Sequence, residues 1–160
     1  MSIDLASDMP ALRTRPLFAM DVTVDTIRVA GGPPGAGRRV GGIPDGTFSG
    51  ERLRGRVLSG GADWQTERGD GAIALDARIV MQTDDDALIA MTYVGLRHGP
   101  PDVMARLGRG EPVDPADYYF RITASFATSD PLYEWLNRVM AIGIGHRHPA
   151  GPVYFVHEIL

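Results

Sequence analysis

Between Asp45 and Arg97 the chain is cut by glycine- and aspartate-rich turns at nearly regular intervals: "SGG" (59–61), "GDG" (69–71) and "TDDD" (83–86). The segments between them are too short for ordinary helices and match the strand-plus-turn repeat of about 8–12 residues found in all-β sandwiches and barrels. Each turn uses residues that tolerate reversal for their own reasons, Gly by reaching positive φ and Asp by bonding its side chain to nearby backbone.

The intervening segments have strand composition. They are "TFSGERLRGRVL" (47–58), "DWQTER" (63–68), "AIALDARIVMQ" (72–82) and "ALIAMTYVGLR" (87–97). "LFAMDVTVDTIRV" (17–29) precedes them, and "YYFRITASFAT" (118–128), "VMAIGIGHR" (139–147) and "VYFVHEI" (153–159) follow. The glycine- and proline-rich stretch at 30–46 reads as an irregular loop. Residues 1–16, aperiodic and broken by Pro10, read as an N-terminal arm, leaving 17–160 as one domain. "SDPLYEWLNR" (129–138) offers Ser129 or Asp130 as an N-cap and Pro131 at the first helical position, so the one sizeable helix is expected there. A single helical turn is expected at 101–107, between Pro101 and Gly108. About eight or nine antiparallel strands with one short helix favour a β-barrel over a sandwich, because closure removes exposed edges.

At 160 residues the chain can bury a substantial core. A net charge of −4 without a basic cluster argues against nucleic-acid binding. All 16 cationic side chains are Arg, and with no Cys there are no disulfides, thiolate metal sites or Cys nucleophile. No segment approaches the length of a membrane helix, and "MSIDLASDMPALRTRPLF" lacks the apolar run of a signal peptide, so a cytoplasmic protein without membrane partners is expected.

Four ordered stretches, "GTFSGERLRGRVLSGGADWQ", "GAIALDARIVMQTDDDALIAM", "YYFRITASF" and "YEWLNRVMAIGIG", together resemble the bacterial and fungal family called domain of unknown function three-two-three-seven. The resemblance covers about residues 17–160 and implies a small antiparallel β-barrel; it brings no established activity.

Alternation divides the strands into faces. In 73–81, Ile73, Leu75, Ala77, Ile79 and Met81 oppose Ala74, Asp76, Arg78 and Val80; in 118–126, Tyr118, Phe120, Ile122, Ala124 and Phe126 oppose Tyr119, Arg121, Thr123 and Ser125. Either the polar face meets solvent around a dry barrel, or it lines a wet lumen. "ALIAMTYVGL" is apolar on both faces apart from Thr92 and Tyr93, so its outer side calls for a cover, and a homodimer supplies one.

Asp63 and Asp76 are the candidate acid–base pair, since two carboxylates in one low-dielectric cavity have their pKa values driven apart. Strict alternation puts Asp63 and Trp64 on opposite faces, although a bulge at Gly60-Gly61 would re-aim them. With such a bulge, Asp63, Trp64, Asp76 and Arg121 converge on one cavity. Trp64 is a candidate ligand platform, and Arg78, Arg97 and Arg121 are candidate clamps for a carboxylate or enolate. Tyr93, Tyr119 and Asn137 complete the candidate ligand-binding set; Asn137 equally suits a cap on the short helix.

His146, His148 and His157 lack the accompanying carboxylate motif of a metal site, and no metal is expected. "GGPPGAGRRVGG" lacks the G-K-[ST] ending of a phosphate loop and Ser59 lacks a G-x-S-x-G setting, so no cofactor is expected. Three functional readings stay open: a barrel enclosing a small, partly apolar, oxygen-rich metabolite, with metal-free proton transfer as an isomerase, cyclase, lyase or hydrolase; a non-catalytic carrier or sensor with the same pocket; and a structural homodimer with a filled barrel.

Overall fold

Turns every ten residues or so produce consecutive antiparallel strands in the computed structural model, which describes residues 4–160. The strands are β1 (Thr14–Val22), β2 (Arg28–Gly31), β3 (Ala36–Ile43), β4 (Gly46–Ser49), β5 (Arg54–Val57), β6 (Gly61–Arg68), β7 (Ile73–Thr83) and β8 (Leu88–His98). Helix α1 (Pro101–Gly108) and a single 3-10 turn (Pro115–Asp117) lead to β9 (Tyr119–Ala127). A second 3-10 turn (Glu134–Arg138) precedes β10 (Ala141–His148) and β11 (Gly151–Ile159).

All neighbouring strands pair antiparallel, in the order β2-β3-β6-β7-β5-β4-β1-β11-β10-β9-β8, and the pairing of β7 with β8 closes the sheet. Strands β5 and β6 share one edge of β7, while β4 and β3 share the far side of that bent pair. Each of these two couples acts as one long strand bent in the middle, so the closed wall is an eight-stranded antiparallel barrel. At eight strands the interior is about wide enough for side chains to fill.

The alternation read from the sequence survives closure. Ile73, Leu75, Ala77, Ile79 and Met81 on β7 and Phe120, Ile122, Ala124 and Phe126 on β9 are all buried inside. One part of the lumen is an apolar plug, in which Phe18 meets Phe48 and Phe126 edge-on at centroid distances of 5.8 and 6.1 Å. Towards the C-terminal end of β11, buried Glu158 accepts from Arg15 at 3.0 Å and from Arg52, whose guanidinium lies 4.1 Å from the Trp135 ring centroid. Burial alone would raise the Glu158 carboxyl, but the two guanidiniums outweigh it and hold the group below the ordinary glutamate range.

Three local expectations are corrected. The strand expected over 17–29 ends at Val22, and residues 23–27 instead cross the barrel mouth. The stretch at 30–46, expected to be irregular, contains β3, which pairs with β6 along its whole length. Its glycines make room for the side chains of the crossing segment instead of breaking the strand: a Cβ at Gly41 would stand 2.6 Å from Val24 Cγ1. The regular helix is α1, which begins at Pro101 and packs Val103 and Leu107 inward, and the expected helix near 131–138 is a turn followed by 3-10 structure. There the capping side chains are used locally, with Asp130 Oδ1 accepting from the Leu132 amide at 2.9 Å and Thr128 Oγ1 from the Asp130 amide at 3.1 Å.

Gly145 shows how tightly the wall fits its contents, since a Cβ there would meet three Phe120 ring atoms at 2.7–2.9 Å. Gly145→Ala is therefore expected to cost about 1–3 kcal/mol through overpacking, read as a lower midpoint in denaturant unfolding. Phe120→Ala, which removes the Cγ, Cδ1 and Cδ2 atoms in the way, should reduce the added cost of Gly145→Ala in the double variant.

Candidate functional site

Strand β6 brings Asp63 and Gln65 to the inner face, since they are two residues apart on an alternating strand. Tyr93 and Arg97 come in the same way from β8, Phe120 from β9 and Tyr154 from β11. Around them lies a cavity of about 270 Å³. Its polar wall also includes Arg39 and Arg147; its apolar wall includes Val24 and Ile27 from the crossing segment, Leu75, Leu107 of α1 and Phe120.

Among the described residues, three buried polar side-chain atoms have no hydrogen-bond partner: Asp63 Oδ1, Arg97 Nε and Tyr154 Oη. All three belong to residues lining this cavity. Buried polar atoms are normally paired, so three orphans around one space make it the candidate site. The other oxygen of Asp63 is held: Oδ2 accepts from Gln65 Nε2 at 2.7 Å, and Gln65 Oε1 accepts from Arg39 Nε at 2.8 Å. Arg39 in turn pairs with Glu67 at 2.9 Å. This chain fixes the Gln65 amide and leaves Oδ1 as the free face of Asp63.

Burial raises the Asp63 carboxyl above the ordinary aspartate range; the bond from Gln65, the Asp76 backbone N–H and the charges of Arg97 and Arg39 oppose this without cancelling it. Burial also raises the Tyr93 and Tyr154 phenols, with the Asp63 charge adding to the effect, so both stay protonated at neutral pH. Arg97 is pushed down to about 10 by burial and by the neighbouring Arg147 and Arg39 charges, and it remains a cation at neutral pH. The site thus combines one carboxyl group of raised pKa with donors that stay protonated at neutral pH.

The structure does not bring together Asp63, Trp64, Asp76 and Arg121. Only Asp63 faces the lumen; Trp64 is 53% exposed on the outer face, paired across the strands with Asp76. The glycines at 60–61 bend the chain between β5 and β6, and alternation resumes before Asp63, so nothing re-aims Trp64. Asp76 and Arg78 share a shallow outer depression with Trp64, and the two carboxylates therefore do not share a cavity.

Tyr119 and Arg121 are also outside, with Arg121 stacked 4.9 Å over the Tyr119 ring. Asn137 neither caps a helix nor reaches the lumen: its amide clamps the Thr128 backbone, accepting from the N–H at 2.8 Å and donating to the carbonyl at 2.9 Å. Asp63, Tyr93 and Arg97 are the candidates that do meet. Gln65, Arg39, Arg147 and Tyr154 join them unanticipated; Gln65 was legible in the alternation from Asp63, whereas Arg39 lay in a stretch read as a loop.

A larger groove of about 770 Å³ runs over the outer faces of β7 to β10 and is lined by Val94, Leu96, Tyr119, Arg121 and Ile144. It contains none of the unpartnered buried polar atoms. The lumen cavity, though smaller, is the better-built site.

The family described as "Protein of unknown function (DUF3237)" matches residues 12–159. UPF0311 protein RPA1785 of Rhodopseudomonas palustris is 37% identical over 94% of this chain and 99% of its own. The crystal structure of that protein aligns with a TM-score of 0.91 over 95% of this chain and 100% of its own. A β-barrel-like protein from Acinetobacter baumannii, 36% identical, aligns with a TM-score of 0.83 over 96% of this chain and 99% of its own. A structure described as an enzyme from Penicillium herquei shares the fold at 22% identity, with a TM-score of 0.73 over 96% of this chain and 98% of its own. With the match spanning nearly the whole sequence, the chain belongs to the DUF3237 family of β-barrel proteins.

Proposed function

We propose that the protein binds a small, oxygen-bearing metabolite in the lumen cavity and performs metal-free acid–base chemistry on it through Asp63. The supporting observation is the convergence of Asp63 Oδ1, Arg97 Nε and Tyr154 Oη on one cavity, each buried and unpartnered. Asp63 exchanges the proton at Oδ1, its raised pKa bringing it closer to the pH at which a carboxyl group both gives and takes one. Tyr154 and Arg97 donate to substrate oxygen, where they stabilise charge that develops as the proton moves. Gln65, held by Arg39, is a positioning residue for the Asp63 carboxyl. The name of the Penicillium herquei protein, an enzyme, agrees with chemistry on this fold without identifying a reaction.

Wild-type protein and Asp63→Asn are to be incubated with a bacterial metabolite extract and followed by mass spectrometry. Depletion of a compound by the wild type, with binding but no depletion by Asp63→Asn, is the expected result. Equal retention of a compound by both, with no depletion by either, would favour a carrier or sensor, a reading supported by the same cavity.

The buried carboxyl also carries a stability signature. Because its pKa is raised on folding, the native state holds more protons than the unfolded chain between the ordinary aspartate range and the raised value, and stability falls as pH rises through that window. Asp63→Asn removes this penalty. In thermal melts it should be more stable than wild type at pH 7, with the margin closing as pH falls from the raised value to the ordinary aspartate range.

A further inference from the structure

Taking the lumen cavity as a ligand site, as above, we infer that its ligand is a small carboxylate on an apolar body, with Arg97 as counter-ion. Three guanidiniums, Arg39, Arg97 and Arg147, line the cavity against one carboxylate, Asp63. Arg39 is already occupied by Gln65 and Glu67, and Arg147 donates to the His148 carbonyl. Arg97 is only 8% exposed, its Nε is unpartnered, and its guanidinium lies 5.3 Å from the Phe120 ring centroid, with the charges of Arg147, Arg39 and Asp63 nearby.

Asp63 does not serve as the acceptor for Arg97, because one of its oxygens is bound to Gln65 and the other is itself unpartnered. A buried guanidinium without an acceptor is costly, and its planar fork suits two oxygens held in one plane. A carboxylate supplies these together with the missing charge. The rest of the ligand meets Val24, Ile27, Leu75, Leu107 and Phe120, which favour an apolar body. An apolar cavity of about 150 Å³ accepts benzene, so about 270 Å³ leaves room for a ring-sized body and its carboxylate.

The inference is tested by calorimetry on the wild-type protein at pH 7, with benzoate and cyclohexanecarboxylate compared against the neutral benzamide and benzyl alcohol. The carboxylates should bind about tenfold or more tightly than their neutral counterparts, the scale of one hydrogen bond to a charged group. In a titration repeated at descending pH, binding should also take up protons within the Asp63 titration range, read from the dependence of the heat on buffer ionisation, because a carboxylate on Arg97 offsets one of the charges that lower the Asp63 carboxyl. Arg97→Gln should abolish the carboxylate preference while retaining neutral probes; should that variant fail to fold, wild-type selectivity and proton uptake still decide. Neutral probes binding as tightly as carboxylates would overturn the inference and leave the cavity as a ligand site. No binding by either class at millimolar concentration, with the Tyr93 and Asp63 NMR signals unmoved, would overturn both.

Discussion

Closure of the sheet by the β7–β8 pairing is the constraint on which the other features depend. Once the wall is continuous, each strand must send alternate side chains into a narrow lumen, and a one-residue slip would exchange inside for outside along its whole length. The ten-pair register of β7 with β8 thus determines that Tyr93 enters while Thr92 and Val94 stay out. Residues distant in sequence, Asp63, Arg97 and Tyr154, meet because their strands bring them into the same section of the lumen.

The lumen is divided in character. The section filled by Phe18, Phe48, Phe126 and their methionine neighbours is apolar and packed, which gives the fold its hydrophobic stabilisation. The other section has aromatic walls, with Tyr93 and Tyr154 edge-on at 5.3 Å, but admits charge. Three ionisable groups without complete hydrogen bonding, Asp63, Arg97 and Tyr154, are held there by the packing around them, an arrangement that opposes stability.

Glu158 provides the internal contrast. It is as little exposed as Asp63, each at 5%, yet two guanidiniums pair with it and lower its pKa, whereas Asp63 has no paired guanidinium and has its pKa raised by burial. Solvent exposure is equal, but Asp63 lies deeper in the fold and has weaker hydrogen-bond partners. Glu158 fastens strands, and Asp63 faces an open space.

By itself the sequence determined the all-β class, the approximate strand number and the inner faces of β7 and β9, because turn chemistry and two-residue alternation are local properties. It also marked Asp63, Tyr93 and Arg97 as candidates, though it grouped Asp63 with Trp64, Asp76 and Arg121, which the wall separates. The tertiary structure alone decided that β3 pairs with β6 despite its glycines, that α1 and not the segment after Ser129 forms the regular helix, and that Gln65, Arg39, Arg147 and Tyr154 surround Asp63. The physical reason is that a side chain's face is set by its own strand, whereas its companions are set by strand order, register and closure, which are interactions between residues far apart in the chain.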